Sequence, residues 1–473
     1  MCGIAGIWDK GSLKSDELLI SVKRMAKEIN HRGPDSNGFW LEDNERLAFS
    51  HARLSILDLS EAGSQPMTSK SKRYTITFNG EIYNHKSLRK IIDAHTSQQE
   101  VWRGDSDTET LLSMIDHFGL RETLNKCTGM FAFAIWDKAN KKLTLVRDRF
   151  GEKPLYWGWN NKTFFFASDL AALKSLHEVN KAINRNALAT YFEKGFIPAP
   201  LSIYKGIYQL KPGHLLEINN FSNEYSQNKI IKWWDTEQHV KSSKFIFKSE
   251  HEAIQFLESS LISTIKTQSN ADVPLGVFLS GGIDSSLITA LFQSFTNSKI
   301  ESFTISFPEL TNSEKGYNEA PYAKGIANYL GTNHNEIDLS LNEVQNIIQL
   351  LPKIYSEPFA DSSQIPSYLV CKEARRSGLI VALSGDGGDE LFGGYNRHYY
   401  ASLLQKFFGH YPHSLRNLIG NFISKVPLTD IGLNLERRNK LSFLIKKSNS
   451  LEDVYKALTT NWDLSDNLVL NKV

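Results

Sequence analysis

Cysteine stands second, in Met1-Cys2-Gly3-Ile4-Ala5-Gly6-Ile7, so loss of Met1 would leave a thiol and a free α-amine on one residue. Such a residue is a nucleophile that carries its own base. A thiol with an ordinary pKa of about 8.5 needs help to ionise near neutrality, and an α-amine with a pKa of about 7.7 to 8.0 can take the proton directly or through one water. The small side chain of Cys2 suits removal of Met1. Far downstream, Ser280-Gly281-Gly282-Ile283-Asp284-Ser285-Ser286 follows the apolar Val277-Phe278-Leu279 and opens a helical pattern. A strand, a glycine turn and a helix start in that order curl backbone N–H groups around an anion, with the positive end of the helix dipole behind them. The two glycines remove Cβ atoms that would hold a phosphate away, and three serines add hydroxyl donors. No lysine follows the glycines, as a Walker A loop requires, so the loop suits pyrophosphate as a leaving group.

A second loop, Leu383-Ser384-Gly385-Asp386-Gly387-Gly388-Asp389-Glu390-Leu391-Phe392-Gly393-Gly394-Tyr395, also leaves an apolar strand. In open α/β sheets the ligand crevice lies beyond the carboxyl ends of the strands, so the two loops are expected to share one sheet edge. Their carboxylates would repel a bare triphosphate. Mg²⁺ is therefore expected between ATP and Asp284, Asp386 and Asp389. The spacing is not that of an EF-hand, which needs regular acidic positions and a distal Glu.

The elements that must position these groups differ between the two halves. The first reads as short strands, Cys2 to Trp8, Tyr74 to Phe78, Met130 to Trp136, Leu143 to Val146 and Thr163 to Ala167, with helices at Leu18 to Ile29 and Thr108 to Phe118. The second alternates strand and helix: Val273 to Leu279, Ser285 to Ser294, Ile300 to Phe307, Ala320 to Leu330, Ile365 to Ser377 and Leu379 to Leu383. That is the rhythm of a parallel sheet covered by helices. A polar stretch around residues 218–248 separates the halves and is read as a linker, giving domains at 2–217 and 249–473.

At 473 residues the chain can bury two or three cores. Its 54 Lys and Arg against 52 Asp and Glu give neither a nucleic-acid nor an anionic-membrane footprint, which leaves small molecules as expected partners. Three widely spaced cysteines argue against a disulfide framework and for the cytoplasm. No signal peptide or membrane span is expected.

Both halves resemble the glutamine-hydrolysing asparagine synthetases. In the first half the resemblance rests on Cys2-Gly3-Ile4, Asn30-His31-Arg32-Gly33-Pro34-Asp35, His51-Ala52-Arg53-Leu54-Ser55-Ile56, Phe78-Asn79-Gly80-Glu81-Ile82-Tyr83-Asn84, Ser106-Asp107-Thr108-Glu109 and the run from Arg147 to Tyr156. In the second it rests on the two loops above and Glu357-Pro358-Phe359-Ala360-Asp361-Ser362-Ser363. The resemblance implies an αββα four-layer glutaminase sandwich of the N-terminal-nucleophile type (α+β), then an α/β domain with a parallel sheet of adenine-nucleotide-hydrolase type. It implies that Cys2 attacks the glutamine amide, that Asn79 and the Gly80 N–H form the oxyanion hole, and that Arg53, Glu81 and Asp107 help hold the substrate. Each role is chemically apt: a guanidinium grips a carboxylate at two points, and a carboxylate grips an ammonium.

By the same resemblance Leu279, Ser280, Gly281, Gly282, Asp284, Ser285, Ile305, Ser384 and Gly385 bind ATP, Asp284 and Asp389 hold Mg²⁺, and Asp386 serves acyl-adenylate formation. The implied reaction activates aspartate as a β-aspartyl-adenylate and transfers ammonia to it, forming asparagine, AMP and pyrophosphate; a homodimer is implied by family analogy. An alternative acceptor is another carboxylate, such as a sugar uronic acid. Family members usually continue past the point matching Val473, so the synthetase half is expected to be incomplete. Asn79-Gly80 taken alone reads as a hairpin turn, and Arg437, Arg438 and Lys440 read as a solvated helix face.

Overall fold

The computed structural model describes residues 2–11, 13–96, 100–160, 162–219, 228–243, 245–309, 318–425, 435–462 and 469. The strands of the first half are β1 Gly3–Asp9, β2 Ser36–Glu42, β3 Leu47–Arg53, β4 Met67–Thr68, β5 Tyr74–Ile82, β6 Gly129–Asp137, β7 Lys142–Arg147, β8 Tyr156–Asn160, β9 Thr163–Ala167, β10 Ile207–Gln209, β11 His214–Asn219 and β12 Asn228–Lys232. They form two six-stranded sheets, ordered β10-β8-β9-β1-β3-β2 and β12-β11-β7-β6-β5-β4.

β1 is buried on both faces. Ile4 and Trp8 turn towards Ala132, Ala134 and Trp136 of the second sheet, while Ala5 and Ile7 meet Leu18, Val22 and Met25 of the helix Ser15–Glu28. Two-sided burial explains why this strand reads as a continuous apolar run instead of an alternating one. Gly6 is needed there, because a Cβ would collide with the Phe166 ring. On the far side, Phe131, Phe133 and Ile135 of β6 pack against Leu88 and Ile92 of the helix His85–His95 and against Leu111, Met114 and Ile115 of the helix Asp107–Lys126. The result is helix, sheet, sheet, helix, the four-layer arrangement expected.

The second half is built on a parallel sheet of β13 Leu275–Phe278, β14 Glu301–Ser306, β15 Asn333–Asp338 and β16 Val381–Leu383, in the order β15-β14-β13-β16. The helices Glu250–Gln268 and Ile283–Phe295 cover one face through Ile265 and Phe292, and the helix Gln364–Arg376 covers the other through Val370 and Ala374. Among the described residues no helix is long and apolar enough to cross a membrane.

Three expectations are corrected. Asn79 and Gly80 are not a hairpin turn: they lie inside β5, paired with Ala132 and Phe131 of β6. Part of the stretch read as linker belongs to the first unit, since β12 pairs with β11 and Trp233 is buried in its core; that unit therefore runs to about Trp234. Lys440 is not on a solvated face, because its ammonium donates to the carbonyls of Ala457 (3.0 Å) and Thr460 (2.7 Å). It satisfies carbonyls at the end of the helix Leu451–Leu458 that lack partners within the helix, and burial lowers its pKa.

Candidate active site

The first site forms where the two sheets of the sandwich meet. Cys2 immediately precedes β1, opposite the end of β3, and its Sγ both accepts from the Leu54 N–H (3.3 Å) and donates to the Leu54 carbonyl (3.5 Å). Burial pushes the Cys2 thiol up, while the Leu54 hydrogen bond and the positive N-terminus pull it down. One cavity is lined by Cys2, Arg53, Asn79, Gly80, Glu81 and Asp107, so the structure brings together all six residues expected of a glutaminase site.

Asn79 is fully buried, and neither its side-chain oxygen nor its nitrogen has a hydrogen-bond partner among the described residues. A buried amide left so costs about 1–3 kcal/mol unless something else uses it. Gly80 is fixed by close approach, since a Cβ would collide with the Met130 carbonyl. Arg53 is held from behind: its guanidinium donates to the carbonyls of Ser60 (2.9 Å) and Asp58. Asp107 opens the helix Asp107–Lys126 and accepts from the Ile82 N–H (2.8 Å). Burial raises its pKa to about 6. Glu81 beside it is pushed up to about 8, by burial and then by the Asp107 charge. Lys153, buried, also lines the cavity; it sat in a quoted motif but carried no expected role.

The second site forms at the carboxyl ends of β13 and β16. The chain leaves β13 towards β14 on one flank and returns as β16 on the other, the arrangement that opens a crevice. Ser280 organises the loop: its N–H donates to Ser285 Oγ (3.1 Å), the two hydroxyls lie 2.8 Å apart, and its Oγ accepts from the Gly282 N–H (3.1 Å). The Gly281 N–H donates to Glu319 Oε2 (3.1 Å), so a carboxylate sits on an amide of the anion loop. The two loops touch. A Cβ on Gly385 would lie 2.8 Å from the Ser285 nitrogen, and one on Gly388 would collide with the Asp284 carboxylate. Asp386 accepts from Ser384 Oγ (2.9 Å), and the Asp389 carboxylate lies against Gly394.

Leu279 and Ile305 are placed differently from the loop residues. The Leu279 side chain is buried against Ala323 and Ala327, so it can reach a nucleotide only by shaping the sheet edge or through backbone atoms, whereas Ile305 is half-buried and packs with Phe303 and Ile337 on the face covered by the helix Gln364–Arg376. Among the described residues no group of three or more His, Cys, Asp or Glu is arranged to hold a metal. The Asp284 carboxylate lies against Gly388, the residue before Asp389; Mg²⁺ keeps several waters and needs only one or two carboxylates beside substrate phosphates.

The two sites are tied through Glu357, whose carboxylate accepts from Tyr156 OH (2.8 Å), Gln209 Nε2 (3.0 Å) and the Ile203 N–H (3.2 Å) of the first unit. Sequence reasoning quoted its motif but gave it no role, because its partners lie about 150 to 200 residues away. Arg32, which donates to the Cys2 carbonyl (3.3 Å) and lies 3.9 Å from Asp169, belongs to the same buried polar layer.

Residues 1–234 match the family model of the glutamine amidotransferase domain, and residues 257–467 match that of asparagine synthase. A Methanocaldococcus jannaschii protein named putative asparagine synthetase [glutamine-hydrolyzing] 2 is 35% identical over 417 residues, covering 84% of this chain and 76% of that protein. Asparagine synthetase [glutamine-hydrolyzing] 1 of Bacillus subtilis is 34% identical over 436 residues, with 90% and 64% covered. Asparagine synthetase B of Escherichia coli is 31% identical over 414 residues, with 84% and 65% covered. The chain thus spans just under two thirds of the length of the last two. With both domain models matched in order and a relative at this identity covered over three quarters of its length, the chain belongs to the family of glutamine-hydrolysing asparagine synthetases.

Proposed function

We propose that this protein makes asparagine from aspartate and ATP, using ammonia that it releases from glutamine. The observation that carries the reading is the orphaned Asn79 amide, buried in one cavity with a thiol, a guanidinium and a carboxylate. That set is matched to an α-amino acid with a side-chain carbonyl. Arg53 takes the α-carboxylate and Asp107 the α-ammonium, which presents the side-chain amide to Cys2. With Met1 removed, the Cys2 α-amine takes the thiol proton and sulfur attacks the amide carbon. Asn79 Nδ2 and the Gly80 N–H hold the oxyanion; the tetrahedral adduct collapses to a thioester, and the amine returns the proton to the departing ammonia. Water then cleaves the thioester to glutamate and regenerates Cys2.

At the second site an aspartate β-carboxylate oxygen attacks the α-phosphorus of ATP, and pyrophosphate leaves into the Ser280–Ser286 loop. Ammonia attacks the resulting acyl-adenylate carbon, and AMP departs. Asp284 and Asp389 would hold Mg²⁺, which supplies positive charge against the phosphates. Glu357 and Tyr156 stand between the sites, where an enclosed passage would keep ammonia from becoming ammonium. Free Cys2, Cys127 and Cys371 support a reducing compartment, for which we take the cytoplasm.

The test supplies ATP, Mg²⁺ and aspartate with either glutamine or ammonium chloride and measures asparagine and pyrophosphate. Cys2→Ala should abolish glutamine-driven product and leave ammonium-driven product intact. Equal loss of both would refute the division of labour. Product formed from a uronic acid but not from aspartate would move the reading to the other acceptor.

A further inference from the structure

Asn79 makes no side-chain hydrogen bond among the described residues, so its aim into the Cys2 cavity is set by the backbone that carries it. That backbone lies where its sheet runs short of a neighbour. β4 pairs Met67 with Ile76 and Thr68 with Thr75, a register that would set Gln65 opposite Phe78, but the strand begins only at Met67. Two side chains serve Phe78 instead. Gln65 Oε1 accepts from the Phe78 N–H (2.7 Å), and His51 Nε2 donates to the Phe78 carbonyl (3.1 Å), which belongs to the peptide joining Phe78 to Asn79.

A peptide N–H needs an acceptor, so the oxygen of the Gln65 amide must face Phe78 and its nitrogen must face away. On that other side Gln65 Nε2 donates to Thr108 Oγ1 (3.2 Å), and the Thr108 hydroxyl donates to Asp107 Oδ1 (3.4 Å). Gln65, Phe78, Thr108 and Asp107 are all buried, and all line the Cys2 cavity. A chain of hydrogen bonds therefore runs from the carboxylate expected to take the substrate α-ammonium to the strand that carries Asn79. Buried and satisfied at every link, such a chain is rigid, because each bond polarises the next.

We infer that Gln65 is a positioning residue for glutamine hydrolysis: through the Phe78 backbone it holds Asn79 at the developing oxyanion, and through Thr108 it ties that hold to Asp107. Gln65 itself need touch no reacting atom. The inference rests on the glutaminase reaction proposed for the Cys2 cavity.

Glutamate formation from glutamine is measured for the full-length protein, for Gln65→Met and Asn79→Ala, and for the double variant. Gln65→Met puts an apolar chain of similar size in place of the amide, and should lower kcat about tenfold while KM changes by less than about threefold. In the Asn79→Ala background the same substitution should cost less than about twofold, because a residue that acts through Asn79 has nothing left to position. Should Gln65→Met not fold, Thr108→Val, of nearly the same shape as the residue it replaces, carries the same test. It removes the anchor of the Gln65 amide, and should lower kcat about threefold in the wild-type background and not in Asn79→Ala. An unchanged kcat in either single variant, or a loss carried in full into the Asn79→Ala background, would overturn the inference. No glutamate from the wild-type protein would instead defeat the glutaminase reading beneath it.

Discussion

Asn79 and Asp107 show how differently two side chains of one cavity enter the chemistry. Asn79 waits with an unmade hydrogen bond, so its contribution appears only when a negative oxygen develops. Asn79→Ala should lower glutaminase kcat by about 10²- to 10³-fold with a much smaller change in KM; a change confined to KM would place the amide in substrate binding instead. Asp107 contributes charge, and its burial delays that charge until the pH passes about 6. Above this value the carboxylate is ionised and, in its proposed role, would hold the substrate ammonium; below it that grip would be lost. The α-amine must also be neutral to act as base, which on its own makes log kcat/KM for glutamine rise with unit slope up to about pH 8. The profile should therefore steepen to a slope of about two below pH 6, and Asp107→Asn should remove the steepening while lowering the plateau. A wild-type profile of unit slope throughout would show that Asp107 does not titrate in this range. The residue types were legible in the sequence. Their protonation was not, because it depends on how much water the folded cavity admits.

The loop after β13 and the helix Ala320–Leu330 meet through Glu319. Strand, glycines and helix start were readable in order, since an apolar run and Gly-Gly ahead of a helical pattern are local signals. That Glu319 would lay its carboxylate on the Gly281 N–H was not readable, because the contact joins segments 38 residues apart. A phosphate entering this loop must compete with that carboxylate. Glu319 makes no capping hydrogen bond to its own helix, so Glu319→Ala should cost the fold little. The expected outcome is a fall in the KM for ATP of about threefold in ammonium-driven assays; a rise would mean that Glu319 helps to hold the nucleotide. β15 illustrates the opposite failure. Asn333-His334-Asn335-Glu336-Ile337-Asp338 has almost no apolar alternation, yet it completes the sheet edge, because its backbone pairs with β14, Asn333 and Asn335 donate to Glu301, and His334 hydrogen-bonds Ser302.

Across the whole molecule, Glu357 is the most telling contact. A carboxylate from the second unit accepts three hydrogen bonds from the first, and burial raises its pKa even though the Tyr156 hydrogen bond opposes this. Removing it leaves the Tyr156 hydroxyl and the Ile203 N–H without this acceptor at the boundary between the two units, while Gln209 Nε2 keeps the Ile197 carbonyl (3.2 Å). Glu357→Ala should raise glutamate formed per asparagine by about twofold or more, while glutaminase activity alone is retained. An unchanged ratio would show that the contact is adhesive and not part of the transfer of ammonia. The backbone bonds between Asp272 and Ile56 and between Ala360 and Gly195 hold the same boundary and should keep the variant folded.

The nucleophile at position 2, the glycine–serine turn, the acidic second loop and the strand–helix rhythm behind them were determined by the sequence itself. Each is a local signal, carried by neighbouring residues and fixed by backbone sterics, helix dipole and side-chain chemistry. The end of the first unit lay outside such signals, because only pairing of β12 with β11 draws the polar stretch before Trp234 into the sandwich. The same holds for the burial of Asp107 and Glu81 and for the tether at Glu357. These arise where segments far apart in the chain exclude water from one another, and that exclusion exists only once the sheets have packed.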